Sequence, residues 1–256
     1  GPDVDTAEYL ERLLADGSRG IDAPAAFLVE TIQAEGGINV ASTSWLRDLQ
    51  RIARANDCLL IVDDIQAGCG RTGSFFSFEL AGIEPDIVCL SKSLSGFGLP
   101  LAVNLLRREI DCFAPGEHNG TFRGNNHAFV TARAALEAYW RDAAFEAEIK
   151  EKSALMIDLL EPLAEEFDGE LRGRGLMLGL AFEDIALAQR ISRRAFENKL
   201  IIETSGAADE VLKFLPPLTA SADELRDGVQ IVRRSLEAET LTPSRRGAHD
   251  SIRTGA

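Results

Sequence analysis

Apolar positions along the chain follow two rhythms. Short runs that are apolar at nearly every position alternate with longer stretches that are apolar every third or fourth residue, which predicts buried strands alternating with amphipathic helices. Residues 5–15 read as a helix. Ala25 to Val29 is a continuous apolar run of strand length ending at Glu30, and Ser42 or Thr43 can cap an amphipathic helix over Ser44 to Ala55. Cys58 to Val62 is a second buried strand, ending at Asp63-Asp64; Ile87 to Leu90 is a third, ending at Ser91-Lys92; Leu101 to Leu106 supplies a fourth. Three apolar strands thus deliver a polar residue at their C-terminal ends, which is where open α/β sheets bind ligands.

From Asn126 the pattern turns helical through Trp140 and again from Ala143 to about Phe167. Beyond it come a strand (Leu176 to Phe182), a helix (Ile185 to Asn198), short strands over Leu200 to Glu203 and Val211 to Leu215, and a closing helix from Ala222 to Leu236. The expected fold class is therefore α/β, a mostly parallel sheet with helices on both faces, followed by a smaller α+β domain. The expected boundaries are 1–144 for the large-domain portion and 145–241 for the small domain. The tail 242–256, with Pro, Ser, Arg and Gly and no apolar period, is expected to be disordered.

Composition narrows the function classes. With 45% hydrophobic and 27% charged residues the chain is of globular type. Its 27 Lys+Arg against 41 Asp+Glu leave a net charge of −14, which disfavours nonspecific binding to nucleic acid or anionic lipid. No stretch approaches the roughly 20 apolar residues of a membrane helix and the start lacks signal-peptide character, so no membrane partner and a cytoplasmic location are expected. Cys58, Cys69, Cys89 and Cys112 form no close pair, and His118 and His127 lack the spacing of a helical metal pair; reduced thiols and no metal are expected.

The strongest chemical signal is Asp63-Asp64-Ile65-Gln66-Ala67-Gly68-Cys69-Gly70-Arg71-Thr72-Gly73, with Lys92 29 residues after Asp63. A lone Gly-rich turn says little. Taken singly, Lys92 also reads as a surface lysine at a strand-to-loop junction and Asp63 as a cap or turn acid. Paired at neighbouring strand ends, they are the groups that pyridoxal phosphate chemistry requires: an amine for the aldehyde and an acid for the pyridine nitrogen. Lys92 follows an apolar run, where partial desolvation would free its amine for attack and for proton transfer.

These motifs, together with Pro85-Asp86-Ile87-Val88-Cys89-Leu90-Ser91-Lys92 and Gly120-Thr121-Phe122-Arg123-Gly124-Asn125, resemble the class III (ω-amino acid) aminotransferases of PLP fold type I. The resemblance implies a pyridoxal 5'-phosphate cofactor, Lys92 as its covalent holder, Asp63 on the pyridine nitrogen and Gln66 near the ring hydroxyl. Thr121 matches a threonine that reaches the cofactor phosphate of a neighbouring subunit, so a homodimer or higher homo-oligomer with a shared site is implied. Glu30 belongs to the acidic segment beside the cofactor, in which Thr31 stands where proline is usual. Glu35 matches an acid that pairs with an arginine gripping the substrate α-carboxylate, but Lys213 occupies that arginine's place. Lys213 reads either as a replacement carboxylate ligand or as an exposed lysine on an edge strand. Arg71 and Arg123 either bind an anion or tie their loops to backbone carbonyls. His118 is expected to hydrogen-bond in a loop near the cofactor, and Tyr139 and Trp140 to lie in the core or a subunit interface.

Ser91 to Pro100, Pro115 to Asn126 and Ile202 to Gly206 further resemble one branch, the diaminobutyrate–2-oxoglutarate aminotransferases of ectoine biosynthesis. That resemblance implies small amino acid and semialdehyde substrates: glutamate donates an amino group that L-aspartate 4-semialdehyde receives, giving L-2,4-diaminobutyrate and 2-oxoglutarate. Another ω-aminotransferase (for ornithine or 4-aminobutyrate), an aminomutase, or a non-catalytic fragment that only binds or dimerises are the other readings. The family resemblance also implies a segment before Gly1 bearing the phosphate loop and an aromatic ring that stacks on the pyridine.

Overall fold

A computed structural model describes residues 5–18 and 20–241; the expected disordered tail, 242–256, lies outside the described residues. In chain order the elements are α1 (Thr6–Ala15), β1 (Ala26–Val29), β2 (Ile32–Gln33), β3 (Asn39–Val40), α2 (Thr43–Ala55), β4 (Leu59–Asp63), β5 (Ile87–Leu90) and β6 (Val103–Leu106). They are followed by α3 (Asn126–Tyr139), α4 (Ala144–Glu166), β7 (Gly169–Arg174), β8 (Met177–Phe182), α5 (Leu187–Glu197), β9 (Glu203–Ser205), β10 (Val211–Phe214) and α6 (Ala222–Leu241). Capping fixes several starts where the sequence suggests them: the Asp5 carboxylate accepts from the N–H groups of Ala7 and Glu8, and Ser42 Oγ accepts from Trp45 N–H at 3.1 Å.

The first sheet has the order β1-β4-β5-β6, with β1, β4 and β5 parallel and β6 antiparallel to β5. β6 reverses because the stretch from β5 to it holds only a 3-10 turn (Lys92–Ser95) and no crossover helix. Apolar residues of α2 (Leu46, Leu49, Ala53) pack on Leu60 and Val62, which form one face of β4.

The second sheet has the order β7-β8-β10-β9 and is antiparallel throughout. Helices α4, α5 and α6 pack on it through Ile149, Leu160, Ile191 and Val232, and all six residues of β8 are buried. Two expectations change here. β7 is a strand that the periodicity hides, because its sequence Gly-Glu-Leu-Arg-Gly-Arg lies at the sheet edge and carries polar side chains. The short strand expected over Leu200 to Glu203 is instead β9, Glu203–Ser205; Leu200 and Ile202 pack on the core from a loop. A third apolar cluster, including Ile32, Ile38, Met177 and Val211, joins the β2–β3 hairpin to this sheet.

Asp86 pins the first sheet. It is 1% exposed; its carboxylate accepts from Leu60 N–H at 2.7 Å and from Arg54 at 2.8 Å, and forms an ion pair with Arg107 at 3.0 Å. Burial alone would raise its pKa, but the Leu60 N–H and the two guanidiniums outweigh burial and hold the carboxyl below its ordinary value. Asp86→Ala should cost about 2–3 kcal/mol in urea unfolding, since it strands charged and buried donors. A depressed native pKa means that the contribution of Asp86 is complete above the ordinary carboxylate value and is lost as the pH falls through the lower native one. The difference between wild type and variant should therefore shrink in acid.

Candidate active site

The register of the first sheet brings the strand ends level. Val29 lies opposite Val62, and Asp63 opposite Cys89, so Glu30, Asp63 and the Ser91-Lys92 step emerge side by side from three adjacent parallel strands. Asp63 Oδ1 accepts from Ile65 N–H at 3.1 Å, which turns the chain into the Gly-rich loop. The Glu30 carboxyl is raised by burial and next by the charge of Asp63, while Lys92 acts to lower it; these three groups share one electrostatic neighbourhood. A cleft of about 720 Å³ opens over Val29, Glu30, Gln33 and Asp63.

Lys92 begins the 3-10 turn with φ +48°, in the left-handed region that costs a non-glycine residue about 1–2 kcal/mol. This turn carries it clear of the sheet, and it is exposed rather than partly desolvated as its position after an apolar run suggests. With its amide oxygen facing the ammonium, Gln66 accepts from Lys92 Nζ at 2.9 Å and donates to Glu35 Oε1 at 3.2 Å. Glu35 Oε1 in turn accepts from Lys213 Nζ at 2.8 Å, and Glu203 Oε2 lies 3.3 Å from the same ammonium. A hydrogen-bonded chain thus runs from Lys92 through Gln66 and Glu35 to Lys213. The Glu35 carboxyl is held below its usual value, chiefly by the Lys213 hydrogen bond acting against burial.

Lys213 is 2% exposed and β10 is an interior strand, so the reading of an exposed lysine on an edge strand is overturned. Its stem is buried beside the β2–β3 hairpin and only its charged tip reaches the carboxylates. Thr121, by contrast, lies on an exposed turn, and no hydrogen bond or ion pair joins it to the other six predicted residues.

The loop between Asp64 and Gly73 is fastened at several points. Gly68 has no room for a side chain, since a Cβ there would lie 2.7 Å from the Asp64 carbonyl oxygen, and the Trp140 ring covers Gly70. Trp140 also packs edge-on against Phe75 and Phe145, and Tyr139 packs on Phe145. The Arg71 guanidinium donates to the carbonyls of Leu176 and Pro216, and burial brings its pKa down to about 10. Of the two readings for Arg71, the tie to backbone carbonyls is the observed one. Arg123 is exposed, and His118 stacks on Phe113 with ring centroids 5.5 Å apart in place of the expected hydrogen bond. The threonine in the usual proline position has a partner: buried Thr31 bonds Ser77 Oγ at 2.5 Å, and Ser77 N–H donates to buried Asp64 at 3.0 Å.

The ion pair of Glu203 with Lys213 and the contact of Ser77 with Thr31 and Asp64 are not singled out by the sequence. For Glu203 the available signal is weak, a carboxylate ten residues before Lys213 whose facing position depends on the β9–β10 register.

The sequence profile described as Aminotransferase class-III matches residues 4–236. A Bordetella parapertussis protein named diaminobutyrate–2-oxoglutarate transaminase is 57% identical over 240 residues, which cover 92% of this chain and 55% of the relative. A protein of the same name from Halalkalibacterium halodurans is 55% identical over 238 residues, covering 92% of this chain and 56% of the relative. Among solved structures, the ornithine aminotransferase from Toxoplasma gondii, described with partial occupancy of PLP at its active site, superposes with a TM-score of 0.81 at 32% identity. The superposition covers 92% of this chain and 55% of that one. The chain therefore spans about half the length of the curated relatives it matches.

Lys213→Met keeps a stem of similar volume and removes the charge that depresses Glu35. The Glu35 carboxyl should then titrate upward, toward the ordinary value, in carboxyl-carbon NMR; an unmoved titration would show that the ion pair does not form in solution.

Proposed function

The chain belongs to the class-III aminotransferases, and on that premise we propose that it carries the lysine, acid and carboxylate-anchor residues of a PLP-dependent enzyme making L-2,4-diaminobutyrate. In that reading glutamate is the amino donor, L-aspartate 4-semialdehyde the acceptor and 2-oxoglutarate the second product. The observation that carries it is the meeting of Asp63 and Lys92 at adjacent parallel strand ends, with Gln66 and Glu35 connecting Lys92 to Lys213. The named relatives at 55–57% identity support the choice of substrates.

The donor set suits the ring end of the cofactor: one amine, one carboxylate held by a single backbone N–H, and one amide, all opening on the same side of the sheet. When bound, pyridoxal phosphate supplies an electron sink for the carbon that loses its proton. Lys92 Nζ would hold the cofactor aldehyde and, once displaced by the substrate amine, move the proton at the reacting carbon. Asp63 would keep the pyridine nitrogen protonated, Gln66 would sit at the ring hydroxyl, and Glu30, with its raised pKa, would line the wall beside Asp63. Lys213 would take the glutamate α-carboxylate when Glu35 releases it. A lysine lacks the two-pronged donor geometry of arginine, so part of the orientation falls to other groups. Thr121, exposed and apart from this cluster, would serve the site of a second copy in a homodimer.

Holoenzyme should show the long-wavelength absorbance of lysine-bound cofactor, and Lys92→Ala should abolish it together with turnover. Supplied with glutamate and a choice of aspartate, succinate or glutamate semialdehyde, the enzyme should prefer the first; preference for either of the others would move it to a different ω-aminotransferase. Lys213→Ala should weaken glutamate use about 10- to 100-fold in kcat/KM, the range expected for a hydrogen bond between charged groups. An unchanged value would make the position structural.

A further inference from the structure

Lys213 has two carboxylates for one positive charge, and they are held differently. Glu203 stands directly opposite it in the β9–β10 ladder, so the same sheet positions both. Glu35 comes from 178 residues away in sequence, in the turn after β2. Its backbone carbonyl is anchored by Gly206 N–H at 3.0 Å, which leaves only the side chain to swing. Both carboxylate side chains are 70% exposed while the lysine side chain is 1% exposed, so an incoming ligand reaches the ammonium past the carboxylates.

We propose that Glu203 is the specificity-determining partner of Lys213: it remains on the ammonium when a substrate carboxylate displaces Glu35, keeps the tip oriented, and offsets part of its attraction for anions. This rests on the reading that Lys213 receives a substrate carboxylate. The consequence follows from ligand charge. Of the four compounds in the proposed reaction, 2-oxoglutarate is a dianion, glutamate carries one net negative charge, aspartate semialdehyde is neutral overall and diaminobutyrate is a net cation. A fixed negative charge on the anchor disfavours these in that order, so Glu203 speeds loss of the keto-acid product and favours retention of the diamine.

The test compares Glu203→Gln, which keeps a hydrogen-bond acceptor and removes the charge, with Glu203→Asp, which keeps the charge. Binding of glutarate, a dicarboxylate that has no amine to transfer, is measured by calorimetry on holoenzyme, and the affinity for diaminobutyrate is read from its KM in the reverse reaction. Inhibition by 2-oxoglutarate is measured alongside. The glutamine variant should bind glutarate about 3- to 10-fold more tightly and be inhibited more strongly by 2-oxoglutarate, as expected for removing one like charge a few ångströms away. Diaminobutyrate should bind less tightly, and added salt should narrow the difference. The aspartate variant should restore the wild-type preference. Affinities that move together, or not at all, would overturn the role of Glu203 while leaving the transaminase reading intact. Wild-type holoenzyme that neither binds glutarate nor turns over glutamate would overturn both.

Discussion

The register of β1, β4 and β5 decides which side chains meet. With Val29 opposite Val62 and Asp63 opposite Cys89, the acidic ends of two strands and the Ser91-Lys92 step of the third come out at one level. Because side chains alternate across a strand, a slip by one residue would send Asp63 to the other face and separate it from Glu30. Asp86 resists such a slip from the opposite end of β5, where its buried carboxylate binds the Leu60 N–H of β4 and two arginines at once. The apolar packing of α2 on β4 supplies the general stability; the carboxylate supplies the alignment.

On this frame the second sheet is docked through the Gly-rich loop. Arg71 reaches the carbonyls of Leu176 and Pro216, and Leu176 N–H returns a bond to the Arg71 carbonyl at 2.8 Å. The contact is close enough that Gly175, at φ +63°, cannot carry a side chain: a Cβ would fall 2.5 Å from the Thr72 backbone. A loop that looks in sequence like a ligand cradle is thereby also the joint that brings Lys213 to Glu35. Thr31 fits the same scheme, since its hydroxyl completes a buried polar group with Ser77 and Asp64 that a proline could not.

Charge in the cleft is nearly self-contained. Lys92 faces Gln66 and lies within electrostatic reach of Glu30 and Glu35, and Lys213 stands between Glu35 and Glu203. Resting contacts of this kind keep each ammonium partnered until a ligand carboxylate or amine replaces a protein group, which lowers the desolvation cost of the exchange. Around Lys213 the carboxylates outnumber the ammonium, with Glu35 and Glu203 on one positive charge.

The strand ends were legible in the sequence because each of these parallel strands is a continuous apolar run, so the first polar residue after the run marks its end. Glu30, Asp63 and Lys92 follow from that rule, and the cap at Ser42 from local hydrogen bonding. The edge strand β7 was not legible, since one face of it meets solvent and its polar residues erase the pattern. Nor was the direction of β6, the exposure of Lys92 on a left-handed turn, or the burial of Lys213 in an interior strand. Burial and pairing across 178 residues are properties of how two sheets meet, and periodicity reports only what a segment does along its own axis. Local pattern therefore determined the strand ends that carry Glu30, Asp63 and Lys92, and tertiary packing decided that Glu35, Lys213 and Glu203 meet.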